Sequence, residues 1–173
     1  MNTIVIYTSK TGFTKRYAEW IAEELHCEAV TFDKKNMKKL EAYELIIYGG
    51  GVTANTINGL SALKKLRVYS EKKIIVFATG ATPGNAAAVI NQIRDRNFSE
   101  QEKVRIPFFF MQSGINYERM GFMGRRVMHF MHSILSKKSN RTKEETEMMN
   151  ALAASYDASD RSYIKPVLEY IQK

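Results

Sequence analysis

Thr3-Ile4-Val5-Ile6-Tyr7-Thr8-Ser9-Lys10-Thr11-Gly12-Phe13-Thr14 joins two patterns of different period. Residues 3–7 form a short β-branched apolar run, as expected of a strand buried on both faces, and end at a turn rich in Thr, Ser and Gly. From Thr14 the spacing turns helical. Tyr17, Ala18, Ile21, Ala22 and Leu25 fall on one side, with Lys15, Arg16, Glu19, Glu23 and Glu24 largely on the other. A strand running straight into a helix leaves the free N–H groups of the turn and the positive end of the helix dipole facing outward together, which is where an anion binds. The candidate anion loop is Ser9, Lys10, Thr11, Gly12, Phe13 and Thr14. Its three hydroxyls add donors for phosphate oxygens, and Gly12 permits close backbone approach. One Thr would be enough to cap the helix, so three hydroxyls around a glycine exceed that need. The chemistry fits a terminal phosphate monoester.

The same alternation continues down the chain. Apolar strands are expected at residues 27–32, at 45–48 closing on Gly49-Gly50-Gly51, at 73–78 and at 106–111. Helical stretches lie around 60–69 and 85–96. Continuous apolar strands alternating with helices imply a parallel sheet covered on both faces, a three-layer, doubly wound α/β fold of five strands. Ligands of such sheets sit at the carboxyl ends of the strands. Besides the first loop, those ends carry Gly49, Gly50, Gly51, Val52, Thr53, Ala54 and Asn55, then Thr79, Gly80, Ala81, Thr82 and Gly84. A chain of 173 residues without repeats or a Pro/Ser linker is expected to form one domain, residues 1–173.

Competing motifs fail on their own chemistry. There is no G-x-x-x-x-G-K-[ST], so a P-loop lysine and its magnesium-binding hydroxyl are missing. Gly49-x-Gly51-x-x-Ala54 spells a short dinucleotide pattern, but it follows the third strand rather than the first. The single cysteine, Cys27, has no disulfide partner and no cluster to join, and a reducing compartment is expected. His129 and His132 stand three apart on one helix with no third ligand in view, so no metal is assigned. No basic leader precedes residues 3–7 and no run of 18 apolar residues occurs, so the expected location is the cytoplasm.

Charge is unevenly placed. The chain holds 26 basic and 18 acidic residues, a net +8, and residues 119–143 hold Arg119, Arg125, Arg126, Lys137, Lys138, Arg141 and Lys143 with no Asp or Glu. The rest of the chain is nearly neutral, so the excess belongs to one local device. Residues 122–138 read as a helix with an apolar face of Met123, Val127, Phe130, Met131, Ile134 and Leu135, opposite Arg125, Arg126, His129, Ser133 and Ser136. Covering the sheet or a neighbouring helix is the ordinary use of such a face. Its basic, Met-rich character also suits peripheral contact, through residues 119–143, with the inner face of a membrane. Residues 137–147 read as a polar connector. Residues 157–160 read as a cap for a last helix that starts near Lys165. No motif for nucleic acid occurs, and none is expected as a partner.

Val5-Ile6-Tyr7-x-Ser9-x-x-Gly12-x-Thr14-x-x-x-Ala18-x-x-Ile21 resembles the N-terminal signature of the flavodoxin family. The resemblance extends to about Ile115 and implies strand order 2-1-3-4-5, FMN as cofactor, its phosphate in the first loop, and its isoalloxazine ring flanked by residues 49–57 and 79–84. Flavodoxins that carry electrons are usually acidic and stack Trp or Tyr on the ring. This chain is basic and those two loops hold no aromatic residue. Either the ring is left open to a substrate or quinone, or it stacks near Tyr117 and Phe122.

The segment inserted at about 116–143, with Asn116-Tyr117-Glu118-Arg119 and the basic Met-rich stretch 128–142, is similar to quinone-dependent protoporphyrinogen dehydrogenases. That resemblance implies oxidation of a haem precursor through FMN, with a small molecule or quinone as partner. No side chain is assigned as catalytic acid or base. The alternative is a soluble flavodoxin-like electron carrier that docks a redox partner through the basic segment; a non-redox binding module on the same fold is a third reading.

Overall fold

The computed structural model describes residues 1–172, apart from the side chain of Glu144. β1 (Thr3–Thr8) runs into α1 (Phe13–Leu25), followed by β2 (Glu28–Thr31) and the single turn α2 (Lys34–Met37). β3 (Leu45–Thr53) folds back into β4 (Thr56–Ile57), and two short helices, α3 (Leu60–Leu63) and α4 (Val68–Glu71), lead to β5 (Lys73–Gly80). Next come α5 (Ala87–Asn97), α6 (Glu100–Arg105), β6 (Phe108–Gln112) and β7 (Gly114–Ile115). The chain ends with α7 (Phe122–Lys137), α8 (Lys143–Ala151), β8 (Tyr156–Asp157) and α9 (Lys165–Gln172).

Five strands pair in parallel in the order β2-β1-β3-β5-β6, with β4 paired antiparallel to the end of β3. Setting that hairpin aside, the order is the expected 2-1-3-4-5. Alternation sorts the central strands between two cores. Ile4, Ile6, Ile46 and Tyr48 pack with Leu60, Leu63 and Ile93 on one face, and Val5, Ile47, Ile75 and Phe77 pack with Tyr17, Ile21 and Val167 on the other. Burial on both faces is why these strands read as unbroken apolar runs.

Three expectations need correcting. Residues 49–53 continue β3 instead of forming a loop, because β4 supplies a partner through Val52 and Thr53 across a turn at Ala54 and Asn55, both with positive φ. The helical stretch at 60–69 is broken into α3 and α4. The polar connector at 137–147 contains the start of α8, closed by a capping box in which Thr142 accepts from the Glu145 N–H while the Glu145 carboxylate accepts from Thr142 N–H.

The inserted segment also runs further than its basic stretch. β7 pairs antiparallel with β8, Gly114 opposite Asp157 and Ile115 opposite Tyr156, so residues 116–155 leave and re-enter the body through one two-stranded ribbon. Tyr17 of α1 anchors the re-entry: its buried hydroxyl donates to the Gln112 carbonyl and accepts from the Asp160 N–H at 3.1 Å. Among the described residues, no helix is long and apolar enough to cross a membrane.

Candidate functional site

The carboxyl ends of β1, β3 and β5 meet beside the N-terminus of α1. Gly12 occupies the N-cap position with φ 98°, a left-handed conformation that glycine adopts without strain, and α1 has no side-chain cap. The first N–H groups of α1 therefore face the loop without an intrahelical partner. Gly12 N–H donates to Ser9 Oγ at 3.2 Å. A hydroxyl that accepts still has its own hydrogen to give, so Ser9 remains a donor for a phosphate oxygen. Thr11 is half-buried at the edge of the loop, and Lys10 is exposed.

Thr14 is buried, and its hydroxyl lies 2.8 Å from that of Thr79 at the end of β5. The pair has two hydrogens and uses one, which leaves one to donate onward. The third contributor is Gly51. A side-chain carbon placed there would lie 3.4 Å from Thr14 Oγ1, 3.6 Å from Asn58 Nδ2 and 3.9 Å from Thr79 Oγ1. All three anticipated segments thus converge on one polar cradle, which the absence of a side chain at Gly51 keeps open.

The other anticipated residues are spread more widely. Gly49 and Gly50 are sheet-core positions: a Cβ at Gly49 would stand 2.1 Å from the Phe77 ring, and one at Gly50 2.5 Å from Ile57. Thr53 and Ala54 are exposed on the hairpin, with Val52 and Asn55 half-buried. Phe13 is buried under the loop. Ala81, Thr82 and Gly84 follow β5, where Ala81 and Gly84 are held by residues from later in the chain. Gln112 Oε1 accepts from Gly84 N–H at 3.0 Å and from the Tyr163 hydroxyl at 3.0 Å, and the Tyr156 hydroxyl donates to the Ala81 carbonyl.

Asn58 closes the strand-end segment 49–58 read from the sequence, whereas Gln112, Tyr156 and Tyr163 were not anticipated, because each reaches the site through tertiary packing. The expected aromatic neighbours are engaged elsewhere. Tyr117 stacks on His129 and donates to the Leu152 carbonyl at 2.7 Å, and Phe122 is exposed beneath Arg126. Tyr48, next to the cradle, is fully buried and locked by Thr8 Oγ1 at 2.9 Å and the Asn58 carbonyl at 2.6 Å; burial pushes its pKa up to about 12. The Cys27 thiol is likewise pushed up by burial, with no sign of an activated thiolate.

A cleft of about 500 Å³ opens between the first loop and the inserted segment, lined by Thr11, Gly12, Lys15, Asn116, Arg119 and Tyr156 among others. The inserted helix α7 is a further correction. None of its 16 residues is buried, and Met123 is 71%, Val127 54%, Phe130 66% and Ile134 54% exposed. The helix packs on α8 with its other side, where Gly124, Met128, His132 and Leu135 are half-buried. Apolar residues occur on both sides, so spacing did not reveal which side turns inward.

A doubly wound sheet with an anion-ready first loop and a polar cradle at its strand ends defines an α/β protein that binds a phosphorylated cofactor. Residues 4–142 match the Flavodoxin domain model, and the chain belongs to that family. Membership bears out the resemblance read from the sequence, and with it FMN as the cofactor. Among solved structures, a flavodoxin from the domain Archaea is 16% identical, with 64% of this chain and 85% of that chain covered at a TM-score of 0.41. A flavodoxin, WrbA-like protein from Agrobacterium tumefaciens is 18% identical, covering 68% and 87% at 0.44. A flavoprotein in complex with FMN from Lactobacillus acidophilus is 17% identical, covering 64% and 91% at 0.36. No curated protein matches the chain in sequence.

Proposed function

We propose that this protein is an FMN-dependent oxidoreductase of flavodoxin type that passes electrons to a quinone, with a porphyrinogen-like haem precursor as reductant. The observation that carries the cofactor assignment is the meeting of Thr14, Gly51, Asn58 and Thr79 beside the uncapped N-terminus of α1. The residues fit the group. The α1 N–H groups with Ser9 and Thr11 would hold the phosphate, and the cradle at Gly51 would receive the polar chain that links phosphate to ring. Bound FMN supplies transfer of electrons between a two-electron donor and a quinone. The protein's own part is to fix the phosphate, to keep the Gly51 side open, and to hold residues 81–84 in place through Gln112 and Tyr156.

The quinone reading draws support from α7. Met123, Val127, Phe130 and Ile134 make a continuous exposed stripe along it, bordered by Arg126 and Lys137. Arg141 and Lys138 are used internally, Arg141 donating to the carbonyls of Leu135, Ser136 and Lys138 and Lys138 pairing with Glu145. Arg125, Arg126, Lys137 and Lys143 stay available to anionic headgroups, each contributing about 1 kcal/mol near the surface. We assign this face to an anionic lipid surface, where a quinone is dissolved.

The test is sequential. Purified protein is titrated with FMN, and the Thr11→Ala, Thr14→Ala double variant is expected to bind it about a hundredfold more weakly, two lost hydrogen bonds at about 1.4 kcal/mol each. Unchanged affinity would remove the phosphate-loop assignment. Loaded protein is then expected to consume protoporphyrinogen only when quinone is supplied. Reduction by an acidic redox partner, suppressed by salt and without porphyrinogen turnover, would instead establish the electron carrier.

A further inference from the structure

Besides Lys10 of the loop itself, the first loop meets a cation that comes from the inserted segment. A Cβ built on Gly12 would lie 2.8 Å from Arg119 Nη1, so the guanidinium rests against the Cα of the residue that opens α1. Arg119 is held there from its own backbone, whose N–H donates to Asn116 Oδ1 at 2.9 Å. The acids around the cleft already have partners. Asp157 is bonded to Arg16, Glu19 pairs with Lys15 at 3.5 Å, and Glu118 accepts from the Ser155 hydroxyl at 2.8 Å. Among the described residues, the Arg119 guanidinium forms no ion pair. A full positive charge thus sits against the positive end of a helix dipole, an arrangement that costs energy by itself and becomes favourable when an anion lies between the two.

We propose that Arg119 is a phosphate-binding residue that closes over the first loop and clamps the FMN phosphate from the side of the insert. The proposal rests on the FMN reading above. A guanidinium adds charge-assisted, forked hydrogen bonds to a dianion that the loop otherwise meets with N–H and O–H donors and the exposed Lys10. It also ties the cofactor to the insert. Arg119 lies three residues before the start of α7, so occupancy of the loop and docking of the inserted segment stabilise one another, as reciprocal linkage requires.

The experiment compares FMN with riboflavin, which lacks the phosphate, by fluorescence titration of the full-length protein, Arg119→Gln and Arg119→Lys. Arg119→Gln is expected to weaken FMN about tenfold, with riboflavin unchanged and part of the loss restored in Arg119→Lys. Added FMN is expected to slow tryptic cleavage within residues 119–143 in the wild type and not in Arg119→Gln. FMN affinity within about twofold of wild type in Arg119→Gln, or equal losses for FMN and riboflavin, would overturn the clamp while leaving the cofactor assignment standing. Wild-type protein that holds neither ligand would overturn both.

Discussion

Thr14 and Thr79 share a buried hydroxyl–hydroxyl hydrogen bond of 2.8 Å across 65 residues of chain. It joins the first turn of α1 to the end of β5, and so sets the distance between the phosphate loop and the segment expected beside the flavin ring. Replacing either residue by Val leaves the other hydroxyl buried without that partner. A double-mutant cycle of Thr14→Val and Thr79→Val in urea unfolding is expected to return a coupling of about 1 kcal/mol. Strict additivity would mean that the two loops are positioned independently.

Gly49 and Gly51 are two residues apart on β3 and should fail in different ways. Gly49→Ala drives a methyl into the Phe77 ring and is expected to lower stability by about 3 kcal/mol, read as a fall in Tm of about 5–10 °C. Gly51→Val projects instead into the space among Thr14, Asn58 and Thr79. It should leave Tm nearly unchanged while abolishing FMN retention. A folded Gly51→Val variant that still retains FMN would place the cofactor elsewhere.

The capping carboxylate of α6 should govern the acid limb of stability. Burial works against the charged form of Glu102, but hydrogen bonds from Lys64, the Ser99 N–H and Tyr69 outweigh it and bring the pKa from 4.5 down to about 2. A carboxylate depressed in the folded state contributes stability that is fully present above its unfolded pKa and disappears as pH falls through the folded one. Wild-type stability is therefore expected to decline between about pH 4.5 and 2. Glu102→Gln should be less stable by about 1–3 kcal/mol at pH 7 and show a shallower decline in that window. Identical slopes in the two proteins would assign the acid limb to other groups.

The stripe on α7 gives a prediction in which stability and binding part company. Phe130 and Ile134 are exposed, so Phe130→Ser with Ile134→Ser should change unfolding free energy by no more than about 0.5 kcal/mol. Co-sedimentation with vesicles containing phosphatidylserine at low salt should fall to background. Vesicle binding that survives the double change, or is absent in the wild type, would return α7 to a role in protein docking.

The pattern of residues 3–14 was legible without coordinates because its causes are local. A β-branched apolar run of that length closed by a Thr/Ser/Gly turn reads as a buried strand, and hydroxyls around a glycine before a helix place donors at the helix N-terminus. Ser9, Thr11, Gly12 and Thr14 were assigned to the loop in that way, and strand order followed from the family resemblance that these residues carry. The ribbon pairing of Ile115 with Tyr156 was not legible, since two residues 41 positions apart leave no period to read. The same holds for Tyr156, which reaches the site only after the insert has returned to the body.

Chain-local chemistry, then, accounts for the doubly wound sheet, the anion loop and the amphipathic character of α7. Long-range packing accounts for the rest: Gly49 and Gly50 belong to the core while Gly51 opens the cradle, the apolar stripe of α7 faces outward, and Arg119 lies over Gly12. Periodicity states which residues share a face. Which face turns inward depends on what other surface competes for it, and that competition is settled only when the whole chain is assembled.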